Sequence, residues 1–465
     1  MKLSHNILLN TDSYKVSMFK QYPAGTTGVY SYIEARGGRF NETVFFGLQA
    51  FIKEYLTTPI TQADIDIADE ILTAHGEPFN REGWQYILDN CGGYLPVVIR
   101  AVPEGSVVPV KNVLCVIENT DKNVPWLTTW VETALLRAIW YPTTVATQSW
   151  NIKRVIAEYL EKTGDPSLID FKLHDFGARG VSSLESAGLG GAAHLVNFMG
   201  TDTISGILAA REYYNAGVAG FSIPAAEHST ITSWGRENEV EAYRNMLNQF
   251  AKPGSIVAVV SDSYDIFNAC ENLWGGELRQ QVIDSGATVV IRPDSGDPEA
   301  VCVKVIQILD KKFGHTVNSK GYKVLNNVRI IQGDGVNESS IRCILGHFSV
   351  LGYSADNIAF GQGGALLQKV DRDTQEWAMK CSSMQKDNQW FNVQKDPVTS
   401  AAKKSKAGRV TLYTNEAGEY VSGVEGVQPN QWSDKPWVEA LREVYRNGKL
   451  LVDDNFAVIR ERAAK

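Results

Sequence analysis

No apolar run in this chain approaches the roughly 18 residues that a membrane-spanning helix needs. The opening residues, MKLSHNILLNTDSYK, carry only a three-residue apolar stretch before Asn and Asp, too little for the core of a signal peptide. Cysteine is scarce and scattered: Cys91, Cys115, Cys270, Cys302, Cys343 and Cys381 include no CxxC pair. That spacing excludes a disulfide-stapled scaffold and points to a reducing, cytoplasmic setting. Positive charge is not in excess either. With 45 Lys and Arg against 53 Asp and Glu, a net charge of −8 and a pI near 5.5, the chain is no general binder of nucleic acid or membrane surfaces, which need a net attraction to polyanions. Also missing are a GxxxxGK[ST] phosphate loop, a GxGxxG dinucleotide fingerprint, a GxSxG nucleophile elbow and any HxxH, HxH or HExxH zinc spacing. There is no internal repeat and no long low-complexity linker.

What is present is a large apolar inventory, with 44% hydrophobic residues, 10% aromatics and 11 Trp, enough for a fully folded globule. A length of 465 residues suggests two domains. The first 150 residues hold an alternating strand, GVYSYIEAR, and antiparallel strands in VVIRAVPEGSVVPVKNVLCVIEN. TVFFGLQAFIKEYL and the segment from Gln62 to His75 are predicted to be helical. Trp126, Leu127, Trp130, Val131, Ala134, Leu135, Ala138 and Ile139 step at helical spacing and form a core stripe. From Phe171 the rhythm changes. Seven short apolar runs each end in a polar or glycine-rich turn before a helix: FKLHDFGARG, HLVNFMGTD, FSIPAAEHST, VAVVSDSYD, TVVIRPDSGDP, VRIIQGDG and NIAFGQGG. This is the pattern of a parallel α/β sheet or barrel, whose strands carry their carboxyl-end turns to one mouth. SGATVVIRPDSGDPEAVCVKVIQILDKKFG contains a full unit, with Pro298 in the first helical turn and a stop at Gly314. After Gln375 the chain turns β-like again, with RVTLYTNEAGEYV as a hairpin, so the tail can rejoin the amino-terminal half. The expected fold is α/β, with a barrel-like domain over 151–376 and a second, discontinuous α+β, β-rich domain built from 1–150 and 377–465.

Each turn of that mouth has a bland reading beside its chemical one. Arg292 and Asp294 in IRPDSGDP are a surface ion pair in isolation, but Arg can fork onto a phosphate or carbonyl, and Asp can accept from sugar hydroxyls or help to hold Mg²⁺. Asp334 between two glycines, and Gly361, Gly363 and Gly364 before a helical start, are plain turns or an anion nest. Glu227 and His228 at another strand end are a structural pair, or a base, metal ligand or transient phosphoryl acceptor. His174 has the same alternatives. Phe176 and Tyr14 are core aromatics or stacking groups for a flat ring, and Asp202 can accept from an amide N–H. The run KDPVTSAAKKSKAGR, with Lys395, Lys403, Lys404, Lys406 and Arg409, is a solvated loop or a clamp on phosphates. Taken together, two His, two Arg, several Asp and a glycine cradle suit a phosphorylated sugar substrate.

The motifs NTDSYK, FFGLQ, KLHDFGARGVSS, NFMGTDT, IPAAEHST, VSDSYDIFNAC, IRPDSGDP, IQGDG and FGQGGALLQK, in that order from near residue 6 to at least Arg409, resemble the nicotinamide phosphoribosyltransferases of the type II phosphoribosyltransferase family. The resemblance implies an irregular TIM-like α/β barrel and a homodimer with shared active sites. It implies transfer from phosphoribosyl pyrophosphate to nicotinamide with Mg²⁺, and ATP as co-substrate that phosphorylates His228, whose ring Glu227 and Asp265 would orient. Phe176 and the partner's Tyr14 would sandwich the pyridine. Asp202 would accept from the carboxamide, with Ser261 near it and Arg292 on its carbonyl. Asp294, Gly333 and Asp334 would hold ribose. Gly363, Gly364 and the partner's Arg372 would take the 5′-phosphate, with Arg179 and the partner's Lys380 and Lys403 near pyrophosphate. Two positions depart from the family pattern: Ala178 stands where a Tyr lies beside the substrate tunnel, and Ala378 replaces a Ser near the phosphate site. The alternative within the family's chemistry is nicotinate phosphoribosyl transfer.

Overall fold

In a computed structural model that describes residues 5–399, 404–429 and 436–465, the chain divides into two compact units. One comprises Met1–Thr147, Ala209–Ala216 and Val370–Lys465, the other Gln148–Leu208 and Gly217–Lys369. The architecture is mixed α/β, with separate antiparallel sheets in the first unit and a parallel sheet in the second.

The first unit is built on a seven-stranded antiparallel sheet in the order Gln389–Asn392, Trp377–Lys386, Thr26–Ala35, Val113–Asn119, Val97–Ala101, Arg442–Arg446 and Lys449–Leu450. The long central strand Thr26–Ala35 is buried over eight of its ten residues and pairs with the tail strand from Thr26↔Lys386 to Ala35↔Trp377. The expected hairpin forms from Val410–Thr414 and Tyr420–Val424. The predicted core stripe is buried except for the half-buried Ala138, and Trp126 and Trp130 each stack edge-on against Trp84 with centroids 5.0 Å apart.

One local expectation fails. The segment TVFFGLQAFIKEYL is not one helix but the end of the strand Glu42–Val44, the helix Leu48–Phe51 and a π-helical turn over Ile52–Leu56. The backbone N–H groups of Val44 and Phe46 donate to the hydroxyls of Thr147 (2.9 Å) and Thr143 (3.1 Å), so these donors are already spent. Gly47 then turns at φ +109, where a Cβ would lie 2.3 Å from Pro142 Cγ.

The second unit contains six parallel strands: β1 (Leu173–Asp175), β2 (Gly200–Thr201), β3 (Ile256–Val260), β4 (Thr288–Arg292), β5 (Val328–Gln332) and β6 (Ile358–Gln362). Their order is β2-β1-β6-β5-β4-β3. The seventh expected run, FSIPAAEHST, is too irregular for a strand. It bridges β2 through Gly200↔Phe221 and β3 through Ala225↔Ala258, so it is bonded to both edge strands. The sequences IVAVV and TVVIR are nearly continuous apolar runs, as parallel strands covered on both faces require. Helices follow the turns with their own signals. Asp297 caps Pro298–Phe313 by accepting from the Ala300 N–H, and Asn337 and Ser340 form a reciprocal capping box at Glu338–Val350.

Candidate active site

Parallel pairing sets the carboxyl ends of neighbouring strands within two residues of one another. Val260 pairs with Arg292, Gln332 with Phe360, Gln362 with Asp175, and Asp175 with Thr201. The turns that follow, carrying Asp262, Asp294, Asp334, Gly363, Phe176 and Asp202, therefore leave one end of the sheet.

Phe176 leaves β1 with its N–H on the Gln362 carbonyl at 3.0 Å. Its ring lies against bare backbone: a Cβ on Gly361 would stand 1.9 Å from Phe176 Cε2, and one on Gly333 would meet the same atom at 3.3 Å. Gly361, expected in an anion cradle, is instead the seat of this ring. The His174 ring tilts beside it with centroids 5.1 Å apart. Asp202 follows β2, and its Oδ1 accepts from His174 Nε2 at 2.8 Å and from Ser222 Oγ at 2.6 Å. Burial works to raise the Asp202 pKa, but these two donors and the nearby Arg292 charge outweigh it and hold the carboxyl below its ordinary value. The adjacent Asp175 has less help. It is fully buried, accepts from the Gly177 N–H at 2.7 Å and is pushed up to about 6 by burial. Arg292 ends β4 with its guanidinium 3.7 Å from the Asp294 carboxylate and its buried Nε without a partner among the described residues.

His228 opens the short helix His228–Thr232 and is about half exposed. Its Nε2 lies 3.0 Å from Asp262 Oδ1 and its Nδ1 4.0 Å from Asp294 Oδ2, while Asp262 Oδ2 accepts from Ser295 Oγ at 2.5 Å. Burial raises the Asp294 pKa, and the carboxylates of Asp262 and Asp334 add to that against Arg292 and His228.

Three residues stand elsewhere than expected. Asp265 does not reach the imidazole, because it caps Ile266–Asn268 by accepting from the N–H groups of Phe267 (2.9 Å) and Asn268 (3.0 Å). Glu227 takes the Ser229 hydroxyl instead of the ring. Ser261 is fully buried, its Oγ donating to the Val259 carbonyl at 2.9 Å and accepting from Trp274 Nε1 at 3.0 Å, so it is a core residue. The carboxylate that meets the imidazole is Asp262, in the turn VSDSYD. One signal in the sequence bears on this: Asp265 stands in N-cap position before a helix, which commits its carboxylate to backbone N–H groups. Nothing in the sequence separates Ser222 or Ser295 from ordinary turn serines.

The turn after β6 is open. A Cβ on Gly363 would find Phe176 O at 3.6 Å and one on Gly364 would find Gly180 O at 3.7 Å, ordinary contacts that do not by themselves demand glycine. Gly180 is the crowded partner, since its Cβ would come within 3.0 Å of Gly364 Cα. Arg179 is exposed on the same Ala178–Gly180 turn, as is Ala178. Asp334 is exposed, and its carbonyl is pinned by the buried Gln332 Nε2 at 2.7 Å. Among the described residues no group of three or more His, Cys, Asp and Glu is placed to hold a metal ion.

Tyr14, Arg372 and Lys380 belong to the first unit. Tyr14 is 56% exposed, with Lys15 Nζ 5.0 Å from its ring centroid. Arg372 is exposed and pairs with Asp373 at 2.8 Å. Lys380 lies on the strand Trp377–Lys386, where burial pulls its pKa down and the charges of Arg36, Lys395 and Lys15 oppose the help of Glu132. In the basic run, Lys404 pairs with Asp396, Lys406 with Glu34, and Arg409 with Glu118 and Glu425, so these three cations are spent within the chain. Lys403 lies outside the described residues. Ala378 is buried in its strand.

Residues 171–449 match the model of the nicotinate phosphoribosyltransferase (NAPRTase) family, and residues 6–99 match that of the nicotinamide phosphoribosyltransferase N-terminal domain. A nicotinamide phosphoribosyltransferase of Xanthomonas campestris pv. campestris is 57% identical over 461 residues, covering 98% of each chain. One of Acinetobacter baylyi is 31% identical, over 100% of this chain and 98% of its own. Among solved structures, a nicotinate-nucleotide pyrophosphorylase from Pyrococcus furiosus superposes with a TM-score of 0.64 at 15% identity, over 100% of this chain and 96% of its own. Human nicotinic acid phosphoribosyltransferase superposes at 0.57 and 16%, over 98% and 93%. At these identities the structural likeness speaks to the fold alone.

Proposed function

The chain belongs to the nicotinamide phosphoribosyltransferase family, and from that premise we propose how its residues carry phosphoribosyl transfer to nicotinamide in NAD salvage. The enzyme is a pentosyltransferase. The observation that carries the substrate assignment is Asp202, an ionised carboxylate bonded to His174, whose ring lies beside Phe176, and within reach of the Arg292 charge. A carboxamide donates to Asp202 through its NH₂ and accepts from Arg292 through its oxygen. A nicotinate carboxylate meets Asp202 as a like charge and is repelled.

With the ring held flat by Phe176, the pyridine nitrogen points at the anomeric carbon of the sugar. The lone pair of that nitrogen forms the new N–C bond as the C–O bond to pyrophosphate breaks, and pyrophosphate leaves with the bonding pair. No proton has to move. Positive charge grows on the sugar and negative charge on the leaving group, so Asp294 and Asp334 face the former from the ribose side while Arg179 meets the latter. The open turn at Gly363 and Gly364 leaves room for the 5′-phosphate. Mg²⁺ usually keeps several waters and takes one or two carboxylates together with substrate phosphates, so two carboxylates at this site are enough to receive it. Asp294, with its raised pKa and carboxylate neighbours, and Asp334 are the residues that would hold it. Bound there, it would neutralise charge on the departing pyrophosphate.

His228 takes no part in that displacement. Asp262 occupies Nε2, so the lone pair on Nδ1 is the nucleophile toward the γ-phosphorus of ATP: an N–P bond forms and ADP leaves with the P–O bonding pair. We assign ring orientation to Asp262. The parallel sheet with its bridging segment 221–226 supports an irregular TIM-like barrel. The exposure of Tyr14 supports a homodimer in which the partner's Tyr14 completes the ring slot, with the partner's Arg372 and Lys380 on the phosphates. All six cysteines are free, in keeping with a cytoplasmic enzyme.

The direct test is pyrophosphate release with nicotinamide and nicotinate side by side, each with and without ATP. Nicotinamide is expected to be preferred, and Asp202→Ser to lower that preference by about tenfold or more. Equal use of the two bases by the unaltered enzyme would instead support the nicotinate reading. His228→Ala should retain ATP-independent turnover and lose stimulation by ATP; complete loss of turnover at saturating substrate, with the fold intact, would defeat the phosphoryl-acceptor role.

A further inference from the structure

The two hydrogen bonds on Asp202 fall on the same oxygen. His174 Nε2 from β1 and Ser222 Oγ from the bridging segment both reach Oδ1, at 2.8 and 2.6 Å. Oδ2 has no partner among the described residues, and the side chain is about half exposed. We propose that His174 and Ser222 are positioning residues for substrate choice: by saturating Oδ1 they fix the Asp202 rotamer, leave Oδ2 as the acceptor for the carboxamide, and keep the carboxyl from carrying a proton that would welcome an acid. This rests on the nicotinamide reading above and deepens it, since selection of amide over acid becomes the work of three residues.

The chemistry follows from what a carboxyl group can offer. Ionised, it only accepts, so it favours an NH₂ and repels a carboxylate. Protonated, it offers an O–H that a nicotinate carboxylate can take, and the repulsion is gone. The charged and titratable groups facing Asp202 are His174 and Asp175 from β1 and Arg292 from β4. Burial is the largest influence and pushes toward the protonated form, and the His174 and Ser222 hydrogen bonds tip the balance the other way. Without those two donors burial should push the carboxyl pKa up, and selectivity should become pH-dependent. The sign is fixed. Low pH protonates Asp202 and admits nicotinate, and higher pH ionises it and restores discrimination.

The experiment measures kcat/KM for nicotinamide and for nicotinate by pyrophosphate release, at about pH 5.5 and about pH 8. In the unaltered enzyme the ratio should change by less than about threefold between them. In the His174→Ala, Ser222→Ala double variant it should fall about tenfold or more at the lower pH and recover at the higher. His174→Gln retains a donor and should keep the ratio nearly flat. Ser222 is exposed, so Ser222→Ala disturbs little packing and supplies the test should the double variant fail to fold, with an expected shift of about threefold at the lower pH. A ratio indifferent to all these changes, while the unaltered enzyme prefers nicotinamide, overturns the proposal alone. A parallel rise in KM for phosphoribosyl pyrophosphate with no change in the ratio would show a merely structural role and overturn it as well. Absence of turnover of nicotinamide by the unaltered enzyme overturns the family reading and this inference together.

Discussion

Phe176 and Gly361 share a single space, and neither makes sense alone. A methyl at 361 would overlap the ring at 1.9 Å from Cε2 and 2.4 Å from Cδ2. Gly361→Ala should therefore tilt Phe176 out of the slot, and steady-state kinetics should show KM for nicotinamide raised about tenfold or more, with a smaller effect on phosphoribosyl pyrophosphate. Because the two side chains act as one, Phe176→Leu added to Gly361→Ala should cost little beyond either change alone. Additive losses would mean that the glycine serves the phosphate after all. The sequence shows Phe176 as an aromatic at a strand end and Gly361 as one of three glycines in a turn. That the ring lies on that glycine follows from the pairing of β1 with β6, which no local pattern reports.

At the scale of elements, β1 is anchored from behind the site. Lys172, just before it, is buried, and its Nζ donates to the carbonyls of Ala355 (3.1 Å), Asp356 (3.0 Å) and Ile358 (3.0 Å), which lead into β6. Burial pushes its pKa down to about 8. A lysine in the unfolded chain titrates at about 10.4, so between these values the unfolded state binds more protons and stability rises with pH. The gain is complete above the unfolded value and lost as pH falls to about 8, with an upper size of about 3 kcal/mol. Denaturant unfolding from about pH 7.5 to about pH 10 should show this slope. Lys172→Met should abolish it while lowering stability at neutral pH through three abandoned carbonyls; an unchanged slope would assign it to other groups. The elements themselves were readable where apolar period, cap and stop agreed, as in Thr288–Arg292 followed by Pro298–Phe313 and Gly314. Local pattern misleads where side chains from elsewhere take the backbone donors, as Thr143 and Thr147 do ahead of Gly47.

For the whole molecule, Phe176, Asp202, His228, Asp294, Asp334, Gly363 and Gly364 lie in one unit, while Tyr14, Arg372 and Lys380 lie in the other. If each site joins the second unit of one protomer to the first unit of its partner, two inactive variants should rescue each other. Chains carrying Arg372→Ala and chains carrying Asp294→Asn, co-expressed, should recover about a quarter of native activity, because half of the dimers are mixed and each mixed dimer has one intact site. No recovery, with mixed dimers confirmed by mass, would place the complete site within one chain. The sequence by itself determined the reaction class and the chemical inventory at the strand ends, because strand, turn and helix signals are local and the motifs lie within them. Only the tertiary structure decided which carboxylate meets His228, which oxygen of Asp202 stays open, and that Ser261 faces the core. Those outcomes depend on strand register and on side-chain direction at the end of each strand, and both are set by neighbours far away in the chain.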